Sequence, residues 1–136
     1  INTKVVLYLG RLHVRKGVNH LIHAFARFQQ ANQDSFLVIV GPDEGELAKL
    51  QAMVKDLGMQ ARVLFTGPLY AQDKLAAYVD ADILVTPSQY EIFGLVPFEA
   101  LLCGTPVIVS DDCGMGHIVR EAGIGWTVPY GGSDDG

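Results

Sequence analysis

The chain has 136 residues, 49% hydrophobic and 18% charged, which is enough for one core of ordinary size but not for two domains. Its formal net charge of −5 argues against nucleic acid or an anionic membrane as a partner. No apolar run approaches the roughly 18 residues of a membrane-spanning helix, and the first residues lack the layout of a signal peptide. We therefore expect a soluble, cytoplasmic domain. Its two cysteines, Cys103 and Cys113, are predicted to be reduced, and their surroundings predict no metal site.

Short apolar runs of strand length alternate with segments of helical period along the chain. The predicted strands cover residues 4–9, 35–40, 62–66, 83–86, 106–109 and 125–128, and the predicted helices cover residues 18–31, 46–57, 72–79, 96–103 and, less distinctly, 116–121. The strands are almost continuously apolar, as in parallel sheets that are buried on both faces. The fold class is therefore α/β, a Rossmann-like doubly wound parallel sheet of about six strands with helices on both faces. Ligands of such sheets bind beyond the carboxyl ends of the strands.

The loop after the first predicted strand, residues 10–17, is rich in glycine and in cations. The Arg11 guanidinium can form bidentate hydrogen bonds, and Lys16 places a positive charge just before a helix begins, so the loop could bind a diphosphate. A solvated basic loop explains the same residues equally well. The loop has neither the Gly-x-Gly-x-x-Gly turn of dinucleotide-binding proteins nor the ending of a P-loop, which argues against hydride transfer and ATPase chemistry.

The loops after the second and third strands carry weaker signals. Residues 41–46 predict a turn followed by a helix with an acidic first turn, which the helix dipole favours. Main-chain groups from Leu64 to Gly67 lie beside the presumed crevice, where they could contact a nucleotide base or serve only as a turn. His13 and His117 could donate to a ligand, although a lone loop histidine is more often solvated.

Two carboxylates distinguish the segment that follows the fourth strand. Glu91 lies in the loop and Glu99 is predicted in the first turn of the next helix, so both can face one crevice and bind sugar hydroxyls. A favourable contact with the helix dipole would also explain Glu99. Phe93 and Gly94 lie between them, where main-chain amides can approach a phosphate or a sugar. Tyrosine side chains elsewhere are expected to pack with their hydroxyls toward water; these are Tyr70, Tyr78 and Tyr90.

Several motifs, taken in order along nearly the whole chain, resemble one family. They are residues 8–12 with 16–17, residues 40–42, residues 63–67, residues 87–88, residues 91–94 with 99–100, and residues 104–108. This combination is similar to the group 1 (family 4) glycosyltransferases, and specifically to the carboxy-terminal, donor-binding half of their two-domain GT-B fold. The resemblance implies a retaining, hexosyltransferase-type transfer of a sugar from a nucleotide-diphosphate donor, without a metal ion or another cofactor.

The resemblance also implies roles for individual residues. Arg11 and Lys16 would hold the donor diphosphate and offset the charge that develops on it, and Glu91 would contact the donor sugar. These three are the predicted catalytic residues. Glu99 would bind the ribose hydroxyls. The remaining predicted donor contacts are Leu64, Phe93, Gly94 and Leu95.

The family pattern further implies that residues 1–136 form the donor-binding domain alone. The amino-terminal domain, which would complete the site, is expected to lie outside this chain, and the isolated domain is expected to be inactive. The acceptor could be a sugar, a lipid-linked sugar or a small molecule, and any peripheral membrane association is expected only through the missing parts. The alternative function is a non-catalytic nucleotide-binding or regulatory module on the same fold, since fold alone does not fix function.

Overall fold

One parallel sheet organises the computed structural model, which describes residues 3–87, 95–110 and 125–128. Its strands run in the order β3-β2-β1-β4-β5-β6, and every neighbouring pair is parallel. This confirms the predicted Rossmann-like sheet of six strands. The strands are β1 (Lys4–Leu9), β2 (Ser35–Val40), β3 (Val63–Gly67), β4 (Ile83–Thr86), β5 (Val107–Ser110) and β6 (Gly125–Val128).

The helices follow the predicted positions to within one or two residues. A short 3₁₀ helix, which the sequence did not predict, precedes the first of them at Val14–Lys16. The predicted helix at residues 116–121 lies outside the described residues. The described α-helices are α1 (Val18–Ala31), α2 (Leu47–Asp56), α3 (Ala71–Asp80) and α4 (Leu95–Leu102).

Two hydrophobic clusters cover the two faces of the sheet. On one face, α1 and α2 contribute Ile22 and Leu50 to a cluster that includes Val6 of β1. On the other, α3 and α4 contribute Tyr78 and Ala100 to a cluster that includes Leu7. Successive side chains of a strand point to opposite faces, so neighbouring residues of β1 serve both clusters. Burial on both faces explains why the strands are almost continuously apolar.

Phe28 lies on the apolar face of α1 but is less buried than Leu21 and Phe25 on that face. Its side chain is 36% exposed, and it borders an apolar cavity of about 120 Å³ that Phe25, Val85 and Ile108 also line. The fully buried part of α1 therefore ends at Phe25, six residues before the helix does. Within the described residues, no helix has the length and apolar character needed to cross a bilayer.

The carboxyl edge of the sheet contains the point where its winding reverses. Strands β1 and β4 are neighbours, but the chain leaves β1 toward α1 on one face and leaves β4 toward α4 on the other. Such a reversal opens a crevice between the two outgoing segments, and ligands of doubly wound sheets bind there. The basic loop after β1 and the amino-terminal part of α4 border this crevice.

Candidate functional site

The basic loop after β1 is hydrogen-bonded to the loop after β2. The Gly10 N–H donates to the Val40 carbonyl at 2.9 Å, the Leu12 N–H donates to the Pro42 carbonyl at 2.9 Å, and the Glu44 N–H donates to the Leu12 carbonyl at 3.1 Å. Parallel pairing thus continues past the ends of both strands. The loop that carries Arg11 is held almost as a strand would be.

Arg11 is fixed through its main chain and its side chain. The hydroxyl of Tyr8, a residue only 2% exposed, donates to the Arg11 carbonyl at 2.7 Å. The Arg11 guanidinium donates through Nη1 to Oε1 of Glu44 at 2.9 Å, and the two side chains are 55% and 37% exposed. An exposed ion pair of this kind is weak, so an anion of higher charge could displace Glu44.

Gly41 permits the close approach of the two loops. Its φ is +150°, and a Cβ built there would lie 1.7 Å from the Gly10 carbonyl oxygen. No side chain fits in that space. The Gly41 N–H also donates to the Gly67 carbonyl at 3.1 Å, and the Thr66 hydroxyl donates to the same carbonyl at 2.7 Å.

Lys16 lies at the end of the 3₁₀ helix, five residues after Arg11 in the same loop. Its main-chain N–H donates to the His13 carbonyl at 2.9 Å, and Gly17 then adopts a left-handed conformation, with φ 72°, before α1 begins. His13, a predicted candidate ligand donor, instead accepts the Arg15 N–H at Nδ1 at 3.2 Å. That contact caps the 3₁₀ helix.

Asp43 stabilises the start of α2 from outside the helix. Its Oδ1 accepts the N–H groups of Gly45, Glu46 and Leu47 at 2.8 to 3.1 Å. These bonds, that from Leu47 foremost, lower the pKa of the Asp43 carboxyl. The predicted acidic first turn is wrong, because α2 begins at Leu47 and its first turn contains no acidic residue. Asp43 instead lies in the turn before α2 and caps the start of the helix from there.

Glu99 is held by two donors from α3. Its Oε1 accepts the Tyr78 hydroxyl at 2.7 Å and lies 3.1 Å from Nζ of Lys74. The hydrogen bond from Tyr78, more than the contact with Lys74, holds the pKa of the Glu99 carboxyl below its ordinary value. Burial, together with the neighbouring Glu99, raises the pKa of Tyr78.

Two expectations about these residues are wrong. Glu99 is the fifth residue of α4, so it lies in the second turn and not in the first. The Tyr78 hydroxyl does not face water, because the residue is 0% exposed and donates to Glu99. Side-chain contacts between helices, and not the helix dipole, therefore account for the position of Glu99.

The other predicted site residues are only partly placed by the structure. Leu95 is the first residue of α4 and is 64% exposed. Leu64 is 58% exposed on the edge strand β3, three residues and so about 10 Å before its carboxyl end. Four predicted residues lie outside the described part of the chain: Glu91, Phe93, Gly94 and His117.

Three residues that contact predicted site residues were not assigned to the site from the sequence. They are Glu44, Lys74 and Tyr78. A signal for the last two exists, because they are four residues apart in a predicted helix and so share one face. Glu44 gave none, since its contact depends on how two distant loops meet. Among residues 3–87, 95–110 and 125–128, no group of three or more acidic, histidine or cysteine side chains could hold a metal ion.

A comparison with protein-family models shows the family of this chain. The model of the group 1 glycosyl transferases matches residues 2–135. The chain belongs to this family. A glycosyltransferase of Methanocaldococcus jannaschii is 35% identical over 128 residues, which are 93% of this chain and 32% of that protein. The D-inositol 3-phosphate glycosyltransferase of Corynebacterium jeikeium is 37% identical over 119 residues, 83% of this chain and 28% of that enzyme.

Solved glycosyltransferase structures share the fold. Anabaena HepE, crystallised with UDP-glucose, superposes with a TM-score of 0.86 at 29% identity over 98% of this chain and 37% of that one. Sucrose-phosphate synthase of Thermosynechococcus elongatus superposes with a TM-score of 0.85 at 34% identity over 98% of this chain and 34% of that one. Together with the family match, these superpositions identify the sheet as one half of a GT-B glycosyltransferase. This group 1 glycosyltransferase chain spans about a third of the length of the relatives that it matches.

Proposed function

We propose that the chain is the donor-binding domain of a retaining glycosyltransferase, and that it binds a nucleotide-diphosphate sugar at the crevice between β1 and β4. The observation that carries the proposal is the pre-ordered Arg11 loop at the point where the winding reverses. The same fold in HepE was crystallised with UDP-glucose, with UDP and glucose, and with UDP. We therefore take a uridine nucleotide as the first donor to test.

In this proposal, Arg11 and Lys16 hold the donor diphosphate. Cleavage of the bond between the sugar and the diphosphate leaves negative charge on the leaving oxygens, and cations fixed beside them stabilise that transition state. Arg11 exchanges Glu44 for the ligand, because a doubly charged diphosphate offers a stronger acceptor than one exposed carboxylate. No bound metal is required for this role. The tightly held main chain of the loop keeps the guanidinium close to its working position.

Glu99 accepts the ribose hydroxyls, and Glu91 contacts the donor sugar. Glu99 suits its role because a glutamate carboxylate is ionised and only accepts hydrogen bonds at neutral pH; its lowered pKa extends that state to more acidic solution. The main chain near Phe93, Gly94 and Leu95 approaches the sugar or the phosphate. Leu64 also contacts the donor. The role of Glu91 and the retaining stereochemistry are proposed on the basis of the family resemblance.

The reaction itself needs a second domain in this proposal. The relatives are about three times as long, and a cleft between two domains would position the acceptor and exclude water. The partner is then the amino-terminal domain of the same full-length protein. The free thiol of Cys103 is in keeping with a cytoplasmic location.

Saturation-transfer NMR with a panel of nucleotide-sugars tests the proposal directly. We expect signal transfer to the ribose and diphosphate-linked sugar protons of a nucleotide-sugar and competition by the matching nucleoside diphosphate. Free sugars should give no transfer. The 136-residue chain should show no turnover of donor with added acceptors. Absence of binding by every nucleoside diphosphate in the panel would refute a donor-binding role, and binding without competition by the diphosphate would place the ligand elsewhere.

A further inference from the structure

Helix α3 supplies both described side-chain contacts of Glu99, and this points to a role beyond packing. We propose that Tyr78 and Lys74 are positioning residues that hold the Glu99 carboxylate with one oxygen directed to the ribose of a nucleoside diphosphate. The inference rests on the proposed donor-binding function, because it assigns Glu99 to the ribose. It adds a specificity element, on a helix that itself contributes no predicted ligand contact.

Both contacts fall on the same carboxylate oxygen. The Tyr78 hydroxyl and Lys74 Nζ lie 2.7 Å and 3.1 Å from Oε1 of Glu99. A carboxylate can accept about four hydrogen bonds, two on each oxygen. Two donors thus occupy Oε1, and among the residues that the structure describes none occupies Oε2, which keeps its capacity to accept hydroxyl groups. Because Lys74 and Tyr78 are four residues apart on α3, one helical face presents both donors.

The Tyr78 side chain cannot swing away from this position. It is 0% exposed and packs in the cluster that includes Leu7, Leu84 and Ala100. The Thr105 hydroxyl donates to the Tyr78 carbonyl at 2.5 Å, which fixes the main chain at the same point. A glutamate restrained by such a partner loses little conformational freedom when a ligand arrives, and this preorganisation favours binding.

A phenylalanine would fill the same apolar space without a polar group to satisfy. The buried hydroxyl of Tyr78 therefore serves the carboxylate rather than the core, since buried polar groups are costly unless they are bonded. A purely structural clip between α3 and α4 would use the same contacts. The two roles differ in what they do to ligand choice, because only a positioning role changes discrimination at the ribose.

The test compares UDP with 2′-deoxy-UDP by calorimetry on the 136-residue chain. We expect wild-type protein to prefer UDP by about tenfold, as a hydroxyl donating to a charged acceptor would give. Tyr78→Phe should reduce that preference by about threefold or more, chiefly by weakening UDP binding. Lys74→Met, at a side chain that is 33% exposed, should act in the same direction and has little effect on the core.

Matched variants control for the chemical changes. Tyr70→Phe removes a hydroxyl from a residue that is 74% exposed just before α3, and Lys55→Met removes a cation at the end of α2. Both should keep the wild-type preference. If Tyr78→Phe does not fold, Lys74→Met with its control decides the matter.

Each outcome has a distinct meaning. A reduced preference in both α3 variants, with controls unchanged, supports the positioning role. An unchanged preference in variants that bind UDP overturns it and leaves a structural clip, while the donor-binding function stands. Failure of wild-type protein to bind UDP or any other nucleoside diphosphate overturns the donor-binding function, and the positioning role with it.

Discussion

Replacing Glu44 by glutamine tests whether this residue competes with a ligand for Arg11. In the structure, Glu44 accepts from the Arg11 guanidinium at 2.9 Å, and a diphosphate bound by Arg11 would have to displace it. Glu44→Gln removes the competing charge but keeps the size and the polarity of the side chain. UDP should therefore bind more tightly to the variant, whereas uridine, which has no phosphate, should bind equally to both proteins.

The size of the gain follows from the exposure of the pair. The two side chains are 55% and 37% exposed, so solvent screens their attraction, and such pairs are worth about 0.2 to 1 kcal/mol. Releasing that energy should increase the affinity for UDP by up to about fivefold, since about 1.4 kcal/mol corresponds to a factor of ten. The gain should shrink at high salt, because salt screens exposed charges.

Isothermal titration calorimetry with UDP and uridine at low and high salt measures the effect. Glu46→Gln is the matched control, because the Glu46 carboxylate faces Lys49 at 3.7 Å and not Arg11. The double variant Arg11→Ala with Glu44→Gln should bind UDP no better than Arg11→Ala alone.

Weaker UDP binding by Glu44→Gln would refute the reasoning, because Glu44 would then orient Arg11 for the ligand rather than compete for it. A gain that persists without Arg11 would also refute it. The effect would then be a general reduction of negative charge near the site.

Three further predictions concern other parts of the site. Arg11→Ala and Lys16→Ala should each weaken UDP binding about tenfold, which is the effect of losing one charge-assisted contact. Uridine binding should change little. If calorimetry shows that UDP and uridine lose affinity equally, the result contradicts a diphosphate site. Because the folded pKa of Glu99 is lowered, the affinity for uridine, which has the ribose but no titrating phosphate, should persist as the pH falls to the ordinary value of 4.5 and decline only below it. Glu99→Gln should abolish that acid limb in pH titrations of binding, and a limb that remains in the variant would assign it elsewhere. Gly41→Ala should lower the free energy of unfolding by more than about 2 kcal/mol, since its Cβ would meet a carbonyl oxygen at 1.7 Å. Gly58→Ala, with φ 68° and open space around it, should cost only about 1 to 2 kcal/mol, and equal losses in urea unfolding would show that the clash relaxes.

The sheet could be predicted from the sequence because its signals are local. Runs such as residues 36–40 are apolar throughout, and Gly58, just after α2, has the φ of 68° that is typical of a left-handed helix cap. The strand β1 ends at Leu9 and β2 at Val40, as predicted. Periodicity and turn chemistry are sufficient for such elements.

The contacts of the site were harder to predict because they join residues far apart in the chain. Arg11 and Glu44 are 33 positions apart, and Tyr78 and Glu99 are 21 positions apart. Nothing in a single sequence states which loops or helix faces will meet. The predicted helix start at residue 96 was only one residue late, yet the first turn of α4 still does not contain Glu99. The Tyr78 hydroxyl was assigned to water because a tyrosine with a polar tip usually reaches the surface.

The pairing of the loops beyond β1 and β2 has a consequence for hydrogen exchange. The Leu12 and Glu44 amides are bonded to carbonyls of the opposite loop, so they should exchange with deuterated solvent on the timescale of the strand interiors rather than that of surface turns. Binding loops that become ordered only when their ligand arrives lose conformational entropy at that moment. Here that loss occurs during folding. A ligand that meets Arg11 would therefore encounter a main chain that is already fixed, and only the guanidinium would need to move.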